Sequence, residues 1–494
     1  MVNLTHALFG LLLVSASALG QETHEHGVPE KLGRVSFPIS CDPSVQQPFN
    51  RAVALLHSFA YAPADQAFRQ VAERDPQCAM AYWGLAMVHF HPVWSPALPP
   101  DAFAQAQKDA LQAVRLDAKT ERERGFIHAV GVLFQAGDGL TSDDRTRAYE
   151  QAMAQVARDN AKDIESQVFY AVALLSNASP ADQTHARQKQ AIGILEPLFR
   201  AHPDHPGLAH YLIHASDSVE FAQQGLPAAR AYAQIAPSAP HALHMPSHIF
   251  TRLGLWDDSI QSNLASRQSA HAQGDAMGEL HAMDYLVYAY LQQGRDAEAA
   301  QVIAEARAMS SLDMTNFAIA YASTVMPIRA AVERGRWNDA ANMAPPVKAP
   351  PAVVAIAVWS RGIGLARSGH PAKAREQAGR LRQLEKQLRD SNDDYWAIQT
   401  AILADEVMAW ANQAAGHPAE AETLLRAAAE KEDALEKRPV TPGPVVPARE
   451  QLGGLLLQNG KRLPAREAFA AALVQAPGRR GALLGEARAD RAAP

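Results

Sequence analysis

Several features that would identify common classes of protein are missing from this 494-residue chain. It has no CxxCH haem-attachment motif, no GxSxG nucleophile motif and no glycine-rich phosphate-binding loop, so none of these catalytic or cofactor sites is indicated. Aromatic residues make up only 7% of the chain, and acidic and basic residues are interspersed to a formal net charge of −6. Because there is no long basic stripe, nucleic acid is not expected as a partner.

Long hydrophobic runs are missing as well. The apolar segment near the N-terminus extends only from Ala7 to Val14, which is too short to cross a membrane as a helix, and no other segment is apolar enough. Residues 1–20 contain no Asp, Glu, Lys or Arg, and small residues precede Gln21. This pattern predicts a signal peptide over residues 1–20 and therefore a periplasmic or secreted protein. The alternative is a frayed apolar N-terminus.

What the chain does contain is a repeated pattern of small residues, turn glycines, aromatics and prolines. One unit near the C-terminus comprises Gly453, Gly460, Ala465, Phe469, Ala472 and Pro477, and Ala64, Phe68 and Pro76 repeat its offsets near the N-terminus. Small residues let two helices approach, the aromatic fills the space between them and proline ends the second helix. Further turns between paired helices are predicted at residues 254–256, 294–295, 335–337, 369–370 and 416–417.

These offsets resemble the tetratricopeptide repeat (TPR) over most of residues 45–480. The resemblance implies an all-α fold, a TPR-like α-solenoid of antiparallel helix pairs that form a superhelix. We divide the chain into an irregular lead-in (21–44), helical repeats (45–343) and C-terminal helical repeats (344–494), because a proline-rich loop follows residue 343. The resemblance also implies a concave groove, lined by the first helix of each pair, which binds a protein or peptide partner.

The two cysteines, Cys41 and Cys78, each stand near the predicted start of the first helix of a pair. The two residues could therefore lie close together. In an oxidising compartment they could form a disulfide, and the alternative is a pair of buried thiols.

Three consecutive first helices carry polar residues at helical spacing. Each set lies on one face of a helix; the sets are His210, His214 and Asp217; His241, His244 and His248; and His281, Asp284 and Tyr288. The pair His210/His214 precedes the pair His244/His248 by 34 residues, one repeat period. Neighbouring first helices lie roughly 10 Å apart, so we expect the three stripes to stand side by side on the groove face.

Neutral imidazoles and carboxylates are ligands of divalent metals, and an H-x₃-H pair can place two nitrogens on one ion. We therefore expect a transition-metal site (zinc, copper, iron or manganese) in which Asp217 and Asp284 complete the shell, orient a histidine or act as bases. Three interpretations stay open: a metal-binding scaffold, a metal-dependent hydrolase or oxidoreductase, and a module that only binds a protein or peptide. A structural hydrogen-bond network is a further alternative, because no HExxH motif is present.

Pro246 interrupts the second stripe. Proline inside a helix removes a backbone hydrogen bond, so either a helix begins near Pro246 or a longer helix kinks there. His57 and His89 are further candidate binding residues near the ends of the first helices of the first two pairs. His57 follows an apolar run and has a core position as its alternative role, and His89 forms a possible ligand pair with His91.

The leader together with LGRVSFPISC, HYLIHASD and HALHMPSHIF also resembles a group of bacterial secreted TPR proteins rich in histidine. That resemblance implies export and no particular activity.

Overall fold

The computed structural model describes residues 30–93, 98–137 and 139–491. Within these ranges the chain forms one short 3-10 helix and 24 α-helices, with no strand. The predicted signal peptide and the first part of the lead-in lie outside the described residues. None of the helices that the structure describes is both long enough and apolar enough to span a membrane.

The first half of the described chain contains the 3-10 helix Pro43–Val45 and twelve α-helices. These are α1 (Gln46–His57), α2 (Tyr61–Arg74), α3 (Ala79–Met87), α4 (Pro100–Arg115), α5 (Glu121–Leu133), α6 (Ser142–Asp159), α7 (Ile164–Ser176), α8 (Ala186–Ala201), α9 (Pro206–Ala215), α10 (Ala222–Ile235), α11 (Pro240–His244) and α12 (Pro246–Arg252).

The second half of the described chain contains twelve more. These are α13 (Trp256–Ala272), α14 (Ala276–Gln293), α15 (Asp296–Ala308), α16 (Phe317–Glu333), α17 (Trp337–Ala341), α18 (Pro351–Arg367), α19 (Pro371–Asp390), α20 (Asp394–Ala414), α21 (Pro418–Asp433), α22 (Ala448–Gln458), α23 (Arg462–Gln475) and α24 (Arg480–Asp490).

The helices pack as consecutive pairs. α1 lies against α2, α3 against α4 and so on along the chain, while first helices also contact the first helix of the next pair, as α14 does with α16 and α18 with α20. This is the arrangement of a TPR-like solenoid, in which each repeat buries its apolar face against its neighbours. The predicted fold class is confirmed.

The turns between paired helices occur where the glycine pattern predicts them. Gly254, Gly294, Gly335, Gly369 and Gly416 all have positive φ angles, between 62° and 85°. A residue with a Cβ rarely adopts this conformation, so glycine at these positions allows the chain to reverse direction between the helices of a pair.

The contact between aromatic and small residues also takes the predicted form. A Cβ added to Gly84 would collide with the ring of Phe68, and one added to Gly453 would lie 2.7 Å from the ring of Phe469. The rings thus pack directly onto the backbone of the adjacent first helix. The repeat offsets in the sequence therefore specify the spacing between helices as well as their order.

Two segments outside the regular pairs fill the space between distant repeats. Residues 30–42 form no helix, and Phe37 among them is fully buried, with the rings of Phe49, Trp83 and Phe126 within 5.5 Å of its own. Residues 434–447, which connect α21 to α22, run across the first helices of earlier repeats; we refer to them as the covering segment. The backbone amide of Glu436 donates to the carbonyl of Pro180 at 2.8 Å.

The C-terminal repeats also reach back to the middle of the chain. The indole of Trp256 donates to the carbonyl of Gly478 at 3.2 Å, and the backbone amide of Arg480 donates to the side chain of Gln292 at 3.0 Å. The boundary predicted after residue 343 falls in a loop, and α18 packs against both α16 and α17 across it. That division of the chain stays a prediction.

Candidate metal centre

Six of the predicted histidines are brought together as two sets of three. The first set consists of His210 and His214 from α9 with His241 from α11, and the second of His244 from α11, His248 from α12 and His281 from α14. Within each set, one nitrogen from each ring lies within 4.8 Å of the other two. Each set thus combines an H-x₃-H pair from one repeat with a histidine from the start of the next.

The two sets adjoin one another. The ring centroids of His214 and His248 are 6.2 Å apart, and those of His241 and His244 are also 6.2 Å apart. These six histidines from consecutive first helices lie together, but they are grouped differently from the predicted stripes. His241 joins the preceding repeat rather than its own stripe.

The break at Pro246 does not disperse the second set. α11 ends at His244 and α12 begins at Pro246, while Met245 between them keeps helical angles (φ −53°, ψ −35°). The chain therefore continues in nearly the same direction although proline cannot donate to the preceding turn. As a result, the Nε2 atoms of His244 and His248 lie 3.0 Å apart.

Hydrogen bonds fix the tautomer of three of these histidines. Nδ1 of His210 lies 2.6 Å from the carbonyl oxygen of His57, and Nδ1 of His248 lies 2.9 Å from a carboxylate oxygen of Asp217. Because these oxygens can only accept, each Nδ1 carries the hydrogen and each Nε2 carries the lone pair, which for His210 faces Nε2 of His241 at 3.1 Å. This arrangement is typical of metal-binding histidines, whose second nitrogen donates to a carbonyl or carboxylate.

His244 is fixed in the same way by Asn263 on α13. The amide nitrogen of Asn263 donates to the carbonyl of Ser259 at 2.7 Å, which turns its oxygen towards Nδ1 of His244 at 2.7 Å. His244 therefore donates from Nδ1 and has its lone pair on Nε2. The lone pairs of His244 and His248 then face one another across 3.0 Å, an arrangement that a proton or a metal ion between them would stabilise.

Five of the six histidines are buried and His241 is half-buried, and burial favours the uncharged imidazole. It lowers the pKa of His210, His214, His241, His244 and His281 well below the usual value, and neighbouring histidines lower the pKa further. Burial also lowers the pKa of His248, against the opposing effect of its hydrogen bond to Asp217. Neutral imidazole is the form that binds metals.

His214 is the least satisfied of the six. It is only 8% exposed, and neither of its ring nitrogens has a hydrogen-bond partner among the described residues. A buried polar group without a partner costs free energy of about 1–3 kcal/mol. A metal ion in the first set would satisfy one of the two nitrogens, because His210 and His241 place their own nitrogens beside it.

Asp217 orients a histidine rather than joining either set. Its carboxylate accepts from Lys437 at 2.8 Å and from Arg252 at 2.9 Å, in addition to His248. Burial alone would raise the pKa of Asp217, but Lys437 and Arg252 outweigh burial and hold it well below its usual value. The charge of Asp217 is thus balanced by two buried cations.

Aromatic residues and the covering segment enclose both sets. The ring of Phe59 lies 4.4 Å from that of His210 and 5.4 Å from that of His241. Tyr285 packs against His244 at 4.8 Å, and its hydroxyl lies 3.2 Å from the carbonyl oxygens of residues 439 and 441 in the covering segment. The second set is therefore covered, and the first set lies beside Phe59 with His241 half-buried.

Asp284 and Tyr288 do not join the histidines, contrary to the predicted third stripe. The carboxylate of Asp284 faces Arg329 at 3.7 Å, and burial raises its pKa to about 6 against the effect of Arg329. The ring of Tyr288 packs against Arg329, and its hydroxyl accepts from Arg479 at 3.3 Å. On α14 it is instead Tyr285, four residues after His281, that contacts the second set.

His57 belongs to a separate cluster with Glu165 and His205. The carboxylate of Glu165 accepts from Nε2 of His57 at 2.9 Å and from Nε2 of His205 at 3.0 Å, while Nδ1 of His57 bonds the hydroxyl of Tyr211 at 3.1 Å. Burial would raise the pKa of Glu165, but the two histidines outweigh it and lower the pKa. These groups meet one another's hydrogen-bonding needs, so the cluster acts as a structural network. It also holds the backbone carbonyl of His57 where it accepts a hydrogen bond from Nδ1 of His210.

The remaining candidates lie elsewhere. His89 follows the end of α3, next to His91, whose ring packs on that of Tyr61 at 4.1 Å, and neither is part of the two sets. Cys41 and Cys78 form a disulfide. Their sulfurs are therefore not available as ligands, although Asp75 lies beside them.

Comparison with known proteins gives similarity of fold only. No family model matches the chain, and no curated protein matches it. Among solved structures, human IFIT1 dimer with m7Gppp-AAAA has 11% identity and a TM-score of 0.35, covering 82% of this chain and 80% of that one. The P58(IPK) TPR domain has 13% identity and a TM-score of 0.23, covering 91% of this chain and 98% of that one. The APC/C hetero-tetramer Cut9–Hcn1 has 10% identity and a TM-score of 0.30, covering 90% of each chain.

Proposed function

We propose that this protein is an exported, TPR-like metal-binding protein in which each set of three histidines holds one transition-metal ion. The observation that carries the proposal is the geometry of His244 and His248, whose Nε2 lone pairs face each other at 3.0 Å. Two nitrogens bound to one tetrahedral ion at about 2.05 Å would be separated by about 3.3 Å. A small adjustment of the rings therefore accommodates an ion.

The ligands narrow the choice of metal. Both sets consist of imidazoles alone, which suit zinc, copper and iron, whereas manganese, magnesium and calcium prefer oxygen. Three ligands leave a coordination position for a further ligand, as in catalytic zinc sites. The His57–Glu165–His205 cluster has no such role, because every nitrogen in it that faces the carboxylate already donates to it.

Burial favours metal binding over direct contact between the histidines and a partner. A TPR-like solenoid provides extended surfaces for proteins or peptides, but a peptide could reach the second set only after displacement of the covering segment, which contacts Tyr285. We therefore place any protein or peptide partner on other surfaces of the solenoid.

Export to an oxidising compartment is supported by two independent features. The predicted signal peptide occupies residues 1–20, and Cys41 and Cys78 form a disulfide. Disulfides persist in the periplasm and outside the cell and are rare in the cytosol.

Elemental analysis of the purified mature protein tests the proposal. We expect close to two transition-metal ions per chain in the wild type, and about one in a His244→Ala/His248→Ala variant. The matched control is His128→Ala/His202→Ala, which removes two exposed histidines and should leave the metal content unchanged. Circular dichroism checks that all three proteins are folded.

Absence of metal in the folded wild type, even after reconstitution with zinc, copper, iron and manganese, would refute metal binding. Equal metal content in the wild type and the His244→Ala/His248→Ala variant would place the ions elsewhere.

A further inference from the structure

We infer, on the basis of the proposed metal binding, that the two sets form a single dicopper centre that binds dioxygen between its two ions. The proposal rests on three features of the described residues: the sets adjoin, their ligands carry no charge, and aromatic side chains pack against both sets.

The adjoining geometry comes directly from the repeat. His214 of the first set faces His248 of the second, and His241 faces His244, with 6.2 Å between ring centroids in both pairs. Two ions held by these sets would have the rings of His214, His241, His244 and His248 around the space between them. A small ligand in that space can bind both ions, as in known two-metal sites, where the ions lie about 3.5–4 Å apart.

The charges around the sets favour monovalent copper. No carboxylate belongs to either set. The nearest one, Asp217, is paired with Lys437 and Arg252, and Arg252 also pairs with Glu436. These four groups sum to zero charge, so among the described residues this network leaves no net negative charge to offset that of the ions.

Two divalent ions would repel one another about four times as strongly as two monovalent ions at the same distance, since the energy depends on the product of the charges. Copper(I) brings one charge per ion. Copper also stands at the maximum of the affinity order for nitrogen ligands among divalent first-row metals, so the same six imidazoles retain it after oxidation.

Dioxygen supplies the missing negative charge. Each copper(I) ion gives one electron to the dioxygen molecule, two copper–oxygen bonds form, and one of the two oxygen–oxygen bonds is lost. The product is two copper(II) ions bridged by peroxide, whose two negative charges offset half of the four positive charges. No proton and no external reductant take part, and release of dioxygen returns both electrons to copper.

Access to the centre selects a ligand of this size and polarity. Phe59 covers the first set and Tyr285 the second, and the covering segment lies over Tyr285. Dioxygen is small and apolar, so it can pass between such groups during ordinary side-chain motion. A larger polar molecule would reach the second set only if the covering segment moved.

The test uses the mature, metal-free protein loaded with copper(I) under anaerobic conditions and then titrated with dioxygen. We expect two copper ions per chain, uptake of one dioxygen molecule per two copper ions, and a new intense absorption band in the near ultraviolet. The two copper(II) spins should couple through the bridge, so the oxygenated protein should give no electron paramagnetic resonance signal.

Variants that disable one set at a time provide the control. His210→Ala/His214→Ala and His244→Ala/His248→Ala should each bind one copper ion, lose the absorption band and show the resonance signal of isolated copper(II) after oxidation in air. The exposed pair variant His128→Ala/His202→Ala should behave like the wild type.

Two results would overturn the dicopper proposal and leave metal binding intact. One is the binding of two copper ions without uptake of dioxygen, with a separate resonance signal from each ion after oxidation. The other is stable binding of zinc or iron by a protein that does not retain copper(I). Failure to bind any metal would refute the proposed function itself.

Discussion

Asn263 provides a direct test of how the second set is organised, because it contacts His244 without being able to bind the metal in its place. Its oxygen accepts the Nδ1 hydrogen of His244 at 2.7 Å and thereby keeps the Nε2 lone pair available. Loss of a hydrogen-bond partner behind a metal ligand typically lowers metal affinity by about 10- to 100-fold. We expect Asn263→Ala to weaken binding to the second set by this factor, equivalent to about 1.4–2.7 kcal/mol.

The metal-free protein should be affected much less. Without Asn263, the hydrogen of His244 can move from Nδ1 to Nε2, where it donates to Nε2 of His248 at 3.0 Å. This new hydrogen bond compensates for the one that is lost. The variant should therefore lose metal affinity out of proportion to any loss of stability in the metal-free state.

Competition with a chelator at fixed pH measures the affinity, and urea denaturation of the metal-free protein measures the free energy of unfolding. Asn263→Asp keeps an acceptor and should retain the affinity. As a control, Asn459→Ala removes two side-chain hydrogen bonds with Gln413, far from the sets. Unchanged affinity in Asn263→Ala, or an affinity loss that only matches a loss of metal-free stability, would refute the tautomer argument.

Three further predictions concern stability. Phe469→Ala removes the ring that packs on Gly453 and should lower the free energy of unfolding by about 3–5 kcal/mol in urea denaturation; a change below 1 kcal/mol would contradict the packing. Cys41→Ser opens a disulfide between residues 37 positions apart and should cost about 4 kcal/mol on the chain-entropy model, a loss that reductant should reproduce in the wild type but not in the variant. Burial raises the pKa of Glu432 to about 7 from 4.5, so its contribution to stability is present below pH 4.5 and is lost as the pH rises through 7. Glu432→Gln should reduce the dependence of the melting temperature on pH in this range, and Glu406 should account for the dependence that is left. An unchanged pH dependence would contradict the assignment.

Local features of the fold could be predicted because they depend on neighbouring residues in the sequence. A turn glycine with positive φ and an aromatic that packs on a small residue are both fixed within one or two repeats, as Gly254 and the pair Phe68/Gly84 illustrate. The H-x₃-H pairs were recognisable for the same reason, since four residues correspond to about one helical turn.

The composition of the site could not be predicted in full, because it depends on contacts between distant parts of the chain. Lys437 reaches Asp217 across 220 residues, and the covering segment lies over Tyr285 from about 154 residues further along the chain. No periodicity in the sequence encodes such contacts. Tyr285 itself carried a usable indication, since it follows His281 at the same i, i+4 spacing as the paired histidines.

Each set is built from the same unit, an H-x₃-H pair with one histidine from the next repeat, and this unit occurs in two consecutive repeats but not in a third. Counted back from the turn glycines, Asp284 and Tyr288 on α14 occupy the positions that His244 and His248 hold one repeat earlier. A third set would therefore begin there, but Arg329 faces Asp284 and packs on Tyr288 instead.

A guanidinium at that position supplies the positive charge that a metal ion would otherwise bring, and it does so permanently. His281 thus completes the second set, although its own repeat has Asp284 and Tyr288 in place of an H-x₃-H pair. Because neighbouring repeats place equivalent positions side by side, a single H-x₃-H motif and one histidine from the next repeat suffice to build each set, and two copies in succession necessarily adjoin.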